Sequence, residues 1–489
     1  MAVAVVAAAT MVAGAVPAAG ESLTIEDASG DVRRFETETP VHEPRVDITA
    51  VAVRHESRSL EIEVSVVQAV DPTDPAWTSG RLSLSAFIVD PKEVDGFFGG
   101  VWLWYFEPVG PDGVPRGVLL SFGEDEPIEC PTAASADLEG GTYTLLAGAD
   151  CVRTMPRTVQ LGVGMEYDDV PFDDDWDNAH DVAPDGMLSD PIASSGAPEI
   201  TRLAGLDRIE TAIALSADRF DDGAAPAAVL ASSENFPDAI AGGPLAARVG
   251  GPLLLTGGAG LDPRVTDELE RAVDRGGVVY LLGGTGVIGE PIVSQVRAAG
   301  FTPRRIAGPN RFETAVAIAD EVSSPKMVLI ADGRTFREGL IAGAAAAALG
   351  GVVVLTDGGA LPAATEDYLA HAPVRHVAIG GVAAAAAPGA ERITAGSTAE
   401  LSQRVLDRLL PTVRTLAVAG DRTFADALAG APHLAALGGG LLLTDGAALS
   451  PAVAAELAQR RHDVREVVLY GGTAAISAAV ASQIADAVR

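Results

Sequence analysis

The sequence predicts a multidomain chain: an N-terminal all-β sandwich followed by three α/β doubly wound repeats with parallel sheets. Three observations carry that expectation. One stretch of 22 residues occurs three times, the chain before it alternates apolar and polar residues, and from Glu199 strand-like and helix-like patterns alternate.

The repeated stretch reads NFPDAIAGGPLAARVGGPLLLT from Asn235, TFREGLIAGAAAAALGGVVVLT from Thr335 and TFADALAGAPHLAALGGGLLLT from Thr423, aligned without a gap. Such self-similarity says the fold is built from repeated units. Each copy places an aromatic second, an acid fourth, a small-residue helix, a Gly-Gly pair, an apolar strand and a closing Thr. Pro237 suits a first helical turn, where its missing N–H is not needed, and Asp238 complements the positive helix end. Gly250 and Gly251 stop the helix, and Pro252 to Thr256 is apolar throughout, as a strand buried on both faces requires.

At 489 residues the chain is long enough for three or four domains, at about 100 to 200 residues each. Its net charge of −33 argues against sequence-independent binding to nucleic acid, which needs a basic face. Residues 1–19 are apolar and rich in Ala and Val, with small residues at Val16-Pro17-Ala18, and read as a secretory signal peptide. A membrane anchor is the rival, and after signal removal no membrane contact is expected. The chain closes without a hydrophobic tail or sorting signal, so an exported protein is expected to be either released or held non-covalently. Cys130 and Cys151, an even count in an exported chain, predict one disulfide.

Residues 21–192 carry the sandwich pattern. Val46 to Val53 and Leu60 to Val66 alternate apolar with polar across a polar turn, as a half-buried antiparallel pair does. Short runs follow at Leu82 to Val89, Val101 to Phe106, Gly117 to Phe122 and Thr158 to Val163. Trp102, Trp104 and Phe106 share one strand face, either as core or as a platform for stacking on glycans. Asp27 and Asp31 around Gly30, and separately Asp173, Asp174, Asp175, Asp177 and Asp181, offer the oxygens calcium takes. A solvated turn and an acidic linker are the plainer readings, and no other cofactor is expected.

From Glu199 the first repeat places strands near Ile200 to Ala204, Ala227 to Ala231, Leu253 to Thr256 and Val278 to Leu282, with helices between. Val265, Leu269, Ala272 and Val273 make one apolar helical stripe. The pattern is that of a Rossmann/Toprim-like repeat, and the units are expected at 199–302, 303–392 and 393–489.

These residues reach a known family. RLAGLDRIETAIAL from Arg202, NFPDAIAGGPLAA from Asn235, GPLLLT from Gly251 and VVYLLGG from Val278 resemble the cell-wall-binding repeat type 2 family. The same order recurs in RIAGPNRFETAVAIA from Arg305, VLTDG at Val354 and IGG at Ile379, then partially in FADALAG, LLLTDG and LYGG. The resemblance implies a surface protein of Gram-positive bacteria, displayed like an S-layer component, whose three units pack about a pseudo-threefold axis. It also implies non-covalent binding to an anionic secondary wall polymer and an N-terminal effector domain.

Candidate polymer contacts are Arg208 and Arg311, the acids Asp238, Glu338 and Asp426, and Thr256, Thr356 and Thr444 at strand ends where open α/β sheets bind ligands. Each has a plainer reading: a helix-start Arg paired with a carboxylate such as Asp238, or a hydroxyl capping a strand end. The third copy has Thr394 to Glu400 where the others have GxxRxET, so it lacks the motif arginine. If a site needs Arg and Asp together within one copy, only the first copy is complete. At −33 the chain repels a polyanion unless these arginines form a local basic site or a divalent cation bridges acid to polymer.

Enzymatic signals are poor. Gly284 to Gly289 satisfies GxGxxG, but the stretches from Gly381 and Gly472 lack it and no acid follows at ribose-binding distance. No GxSxG, HExxH or P-loop occurs. The alternative to a wall-binding protein is a wall hydrolase with its chemistry in the N-terminal domain.

Overall fold

The computed structural model describes residues 23–34, 40–56, 58–78, 81–90, 101–107, 115–122, 128–153, 155–167, 179–184, 188–189, 192–193 and 197–489. The expected signal peptide at 1–19 and the aspartates Asp173, Asp174, Asp175 and Asp177 lie outside them. The chain divides into two compact units, residues 1–196 and 197–489.

The first unit contains β1 (Leu23–Glu26), β2 (Arg33–Arg34), β3 (Ile48–His55), β4 (Leu60–Val66), β5 (Leu82–Val89), β6 (Val101–Glu107), β7 (Arg116–Phe122), β8 (Ile128–Asp137), β9 (Thr142–Ala147), β10 (Thr158–Tyr167), β11 (Ala179–Ala183) and β12 (Ile192–Ala193), with short helices α1 (Pro75–Thr78) and α2 (Ala149–Val152). The alternation read in the sequence is the burial pattern observed: along β4 every second residue is buried. In place of two stacked sheets there is one antiparallel sheet, running β1-β3-β4-β9-β8-β7-β6-β5-β10-β11-β2, with β12 beside β10. It curls until its ends meet, where the Ile48 N–H of β3 donates to Asp181 Oδ2 of β11 at 2.7 Å. Alternation fixes which face of a strand is buried but not which neighbour it pairs with, so it does not distinguish one rolled sheet from two. Trp102, Trp104 and Phe106 are buried in the core, and Trp104 Nε1 donates to Thr132 Oγ1 at 2.7 Å. The core reading of that strand therefore replaces the glycan platform.

The second unit contains three parallel sheets. Its strands are β13 (Glu199–Leu203), β14 (Ala225–Ser232), β15 (Leu253–Thr256), β16 (Val273–Leu282), β17 (Thr302–Ile306), β18 (Met327–Asp332), β19 (Val352–Thr356), β20 (Arg375–Ile379), β21 (Glu391–Ile393), β22 (Thr415–Gly420), β23 (Gly440–Thr444) and β24 (Glu466–Tyr470). The helices are α3 (Arg208–Arg219), α4 (Pro237–Arg248), α5 (Pro263–Ala272), α6 (Glu290–Ala298), α7 (Arg311–Glu321), α8 (Arg337–Ala348), α9 (Ala363–His371), α10 (Gly381–Ala386), α11 (Thr398–Leu409), α12 (Ala425–Leu428), α13 (Gly430–Ala436), α14 (Pro451–Arg460) and α15 (Ala478–Ala487).

The sheet orders are β15-β14-β16-β17, β19-β18-β20-β21 and β23-β22-β24-β13. Each repeat therefore takes its fourth strand from the start of the next, and the third takes it from the start of the first. Ile200 to Leu203, expected in the first sheet, pair instead with Val467 to Tyr470 of the third. The local pattern says that a strand is present, while its partner is set by packing across hundreds of residues. The three repeats thus close into a ring. Arg202 fastens the closure, donating to Gly471 O at 2.7 Å and Ile476 O at 3.0 Å.

The repeated small-residue helices meet at the centre of the ring, and one continuous core joins all three copies. Their glycines permit the approach: a Cβ on Gly243 would stand 2.7 Å from Ala431 Cβ, and one on Gly339 would stand 2.5 Å from Ile240 Cδ1.

Candidate functional site

Three aromatic rings mark the ring's centre. Phe236, Phe336 and Phe424, second in each repeated stretch, have centroid separations of 6.1, 5.9 and 5.9 Å, a nearly equilateral triangle of tilted and edge-on contacts.

The motif arginines are set at the rim of this triangle by helix caps. The Asp207 carboxylate accepts from the N–H groups of Ile209 and Glu210, and the Asn310 side chain accepts from those of Phe312 and Glu313. Those caps start α3 and α7 at Arg208 and Arg311. Arg208 Nη1 donates to Ser233 O at 2.5 Å, and Arg311 Nη1 donates to Gly333 O at 2.7 Å. Arg208 also lies over the ring of Phe424, 5.3 Å from its centroid. Neither arginine has a carboxylate within 4.0 Å among the described residues.

Two of the acids face an arginine of another repeat without forming an ion pair, whereas Glu338 accepts from Thr335 Oγ1 of its own copy at 2.8 Å. Burial raises the pKa of Asp238, and the nearby charge that opposes the shift is that of Arg311 in the second copy. Burial likewise raises that of Asp426, opposed by the Thr211 hydroxyl, which donates to it at 3.1 Å, and by Arg208 of the first copy. Arg208 therefore belongs with the acid of the third copy and Arg311 with that of the first, which corrects the single-copy pairing of Arg208 with Asp238. All three acids rest on the bare backbone of a glycine that follows a third strand. A Cβ at Gly283 would lie 2.5 Å from Asp238 Oδ2, at Gly380 2.6 Å from Glu338 Cγ, and at Gly471 2.6 Å from Asp426 Cγ. These glycines have φ of +95°, +90° and +95°, a region only glycine enters freely. The Gly-Gly after each apolar strand was the signal in the sequence for this contact.

One participant was not read from the sequence. Arg337, first residue of α8, donates from Nε to Asp421 O at 2.9 Å and lies 5.0 Å from the centroid of Phe336. Asp421 precedes Phe424 by three residues, as Ser233 precedes Phe236 and Gly333 precedes Phe336.

The strand-end threonines lie in the frame of the fold. Thr256, Thr356 and Thr444 are 0, 0 and 1% exposed. The hydroxyls of Thr256 and Thr444 bond within the turns that follow them, Thr444 Oγ1 accepting from the Ser450 N–H at 2.8 Å, and that of Thr356 is buried without a hydrogen bond. Their hydroxyls complete turns or fill the core, so the structure does not present them to a polymer.

In the first unit, Cys130 and Cys151 form the expected disulfide, with Cα atoms 5.7 Å apart. Asp27 and Asp31 converge with Asp181 so that one oxygen from each lies within 4.8 Å of the others. Such oxygens suit calcium, and a cation there would share the Asp181 carboxylate with the N–H groups of Ile48 and Val182. Burial first, then the charges of Asp27 and Asp31, push the Asp181 carboxyl up to about 7. The Gly284 to Gly289 stretch forms the turn before α6, closed by the Gly289 N–H on Gly258 O at 2.8 Å.

The motifs, their order and this threefold arrangement coincide with one family model, Cell wall binding domain 2, which matches residues 202–293, 305–387 and 392–481. The chain belongs to the cell wall binding domain 2 family. The three matched segments make up its ring. It is 25% identical over 296 residues to N-acetylmuramoyl-L-alanine amidase LytC of Bacillus subtilis (strain 168), covering 59% of this chain and 58% of that protein. A second relative in the same organism, an amidase enhancer, is also 25% identical over 296 residues, covering 58% of this chain and 40% of that protein. The chain thus spans about half the length of the curated relatives it matches. Among solved structures, Cwp6 from Clostridium difficile aligns with TM-score 0.56 and 16% identity over 88% of this chain and 66% of that one. Cwp8 from the same organism aligns with TM-score 0.54 and 14% identity over 89% of each. Both are likenesses of fold. Among the described residues no helix is long and apolar enough to cross a membrane.

Proposed function

We propose that the ring of cell wall binding domain 2 repeats holds an anionic secondary wall polymer at the rim of the Phe236, Phe336 and Phe424 triangle. Arg208 and Arg311 are its contacts, and the N-terminal unit is an effector displayed on an exported protein. The observation that carries the reading is the state of these two arginines. In a chain with 67 acidic and 34 basic side chains, both are tethered by one N–H to a backbone carbonyl and neither is neutralised by an ion pair. Each guanidinium keeps donors of the planar fork that matches phosphate or carboxylate. A few such groups prevail locally over an unfavourable net charge when the polymer meets them at several points at once. The disulfide fits export to an oxidising compartment.

The test is co-sedimentation of the whole protein with walls purified from the organism that makes it, before and after extraction of their anionic polymers, across a salt series. Binding that needs the polymers and weakens with salt is expected; binding indifferent to both would reject the reading. A second proposal, hydrolysis of wall material by the N-terminal unit, is decided by assaying the purified chain for release of new amino or reducing ends from the same walls.

A further inference from the structure

We propose that Arg337, from the second repeat, supplies the third junction of the ring with the cation that the third repeat lacks, so that the ring offers three anion-binding positions and not two. The inference rests on the polymer-binding reading above and names a contact that the repeat motif does not contain.

Where the first two repeats begin their motif helices with Arg208 and Arg311, the third begins α11 with Thr398, behind the cap Ser397. By alignment the third junction has lost its arginine. Arg337 aligns with Pro237 and Ala425, so alignment assigns it no counterpart. In space it has one. At the first junction Arg208 comes from the following copy, reaches back over the ring of Phe424 and donates to the carbonyl of Ser233. At the third junction Arg337 comes from the preceding copy, lies over its own Phe336 and donates forward to the carbonyl of Asp421. Both guanidinium groups therefore occupy the place between the ring phenylalanine of one copy and the carbonyl three residues before the ring phenylalanine of the next. The same place is filled from opposite sides.

The orientation also fits. Arg337 spends Nε on its tether, and its side chain is 43% exposed. Its two terminal nitrogens, the pair that grips a phosphate or carboxylate, make no hydrogen bond among the described residues. The carboxylate of Asp421 stands 3.9 Å from Nε, at the limit of an ion pair, so an anion with better geometry competes with it. The ligand class is a polymer carrying repeated phosphate or carboxylate groups.

The experiment uses the full chain and walls purified from the producing organism, with circular dichroism to confirm folding. Arg337→Ala is expected to weaken binding about tenfold, the size of one lost charge-assisted contact, as Arg208→Ala and Arg311→Ala do. The slope of log affinity against log salt should fall by about a third, since one of three equivalent ion contacts is gone. Adding Thr398→Arg to Arg337→Ala should restore both, because it returns the cation to the motif position. If Arg337→Ala binds as the parent does while Arg208→Ala and Arg311→Ala lose binding, the inference is wrong and the polymer reading stands. If a folded double variant fails to recover, the equivalence of the two positions is refuted and Arg337 is only a strut between repeats. If none of the three single variants changes binding, both proposals fall.

Discussion

Arg208, at the start of the first repeat, lies 5.3 Å from the ring centroid of Phe424 in the third. The contact joins the two ends of the repeat array and makes the first repeat's arginine a neighbour of the third repeat's acid. Replacing Arg208 with Lys keeps the charge but loses the flat stacking surface and the fork. Arg208→Lys should therefore retain the sign of the salt dependence yet bind walls more weakly than the parent, and Arg208→Ala should bind more weakly still. Equal binding by Lys and Arg would show that charge alone matters there.

The packing of the central helices gives a stability prediction. Gly243→Ala gains at most about 1 kcal/mol of helix propensity, but its new methyl meets Ala431 Cβ at 2.7 Å, an overpacking cost of about 1–3 kcal/mol. The clash should win. Denaturant unfolding followed by helical circular dichroism should show a loss, and Ala431→Gly in the same chain should return part of it.

Closure of the ring can be probed at Arg202. Its two hydrogen bonds, to Gly471 O and Ile476 O, tie β13 to the turn after β24, and Arg202→Ala should cost the second unit about 2 kcal/mol. All four tryptophans precede residue 197, so their fluorescence follows the first unit alone. The helical signal should shift and the tryptophan transition should not.

Much of this could be read in advance, and the rest fails for identifiable reasons. Period and turn residues placed a helix between Pro237 and the Gly250-Gly251 stop, observed as Pro237–Arg248, and the buried strand at Leu253 to Thr256, as observed. The recurring motifs placed the ring's family. What they did not contain is partnership: that β13 belongs to the third sheet, that Arg208 sits by Asp426, or that Arg337 stands in for a residue missing at position 398. Each is a contact between segments far apart in the chain, and alignment of repeats compares positions rather than places. The threonines misled because a hydroxyl at a strand end looks the same in sequence whether it faces a ligand or closes a turn.

Asp181 makes the first unit's stability pH-dependent. Its carboxyl titrates near 7 in the fold against about 3.9 in an unfolded chain. The folded state holds the proton more tightly, so this group's contribution is most favourable below about pH 4 and is lost as pH rises through 7, by on the order of a few kcal/mol. Tryptophan-monitored unfolding at pH 5 and pH 8 should show that loss, and Asp181→Asn should flatten it. An Asp181→Asn profile parallel to the parent's would contradict the assignment.

The Cys130–Cys151 bridge closes a loop with sequence separation 21, worth about 3 kcal/mol on the chain-entropy argument. Cys130→Ser with Cys151→Ser should lower the unfolding free energy of the first unit, followed by tryptophan fluorescence, by about that amount. The helical transition of the second unit should stay where it was.

The strand that seals the ring is also the first element of the second unit that the chain from the first unit enters, at Glu199. Tension applied to the first unit enters the second through β13. Its five registered pairs with β24 and the two bonds of Arg202 are what resist it. A pull that stripped β13 would remove the fourth strand of the third sheet and part the array beside the Arg208 junction. On the polymer-binding proposal, such a pull would open the ring at the Arg208 junction while the covalent link to the first unit persisted, so the five pairs of β13 are the first contacts to be loaded.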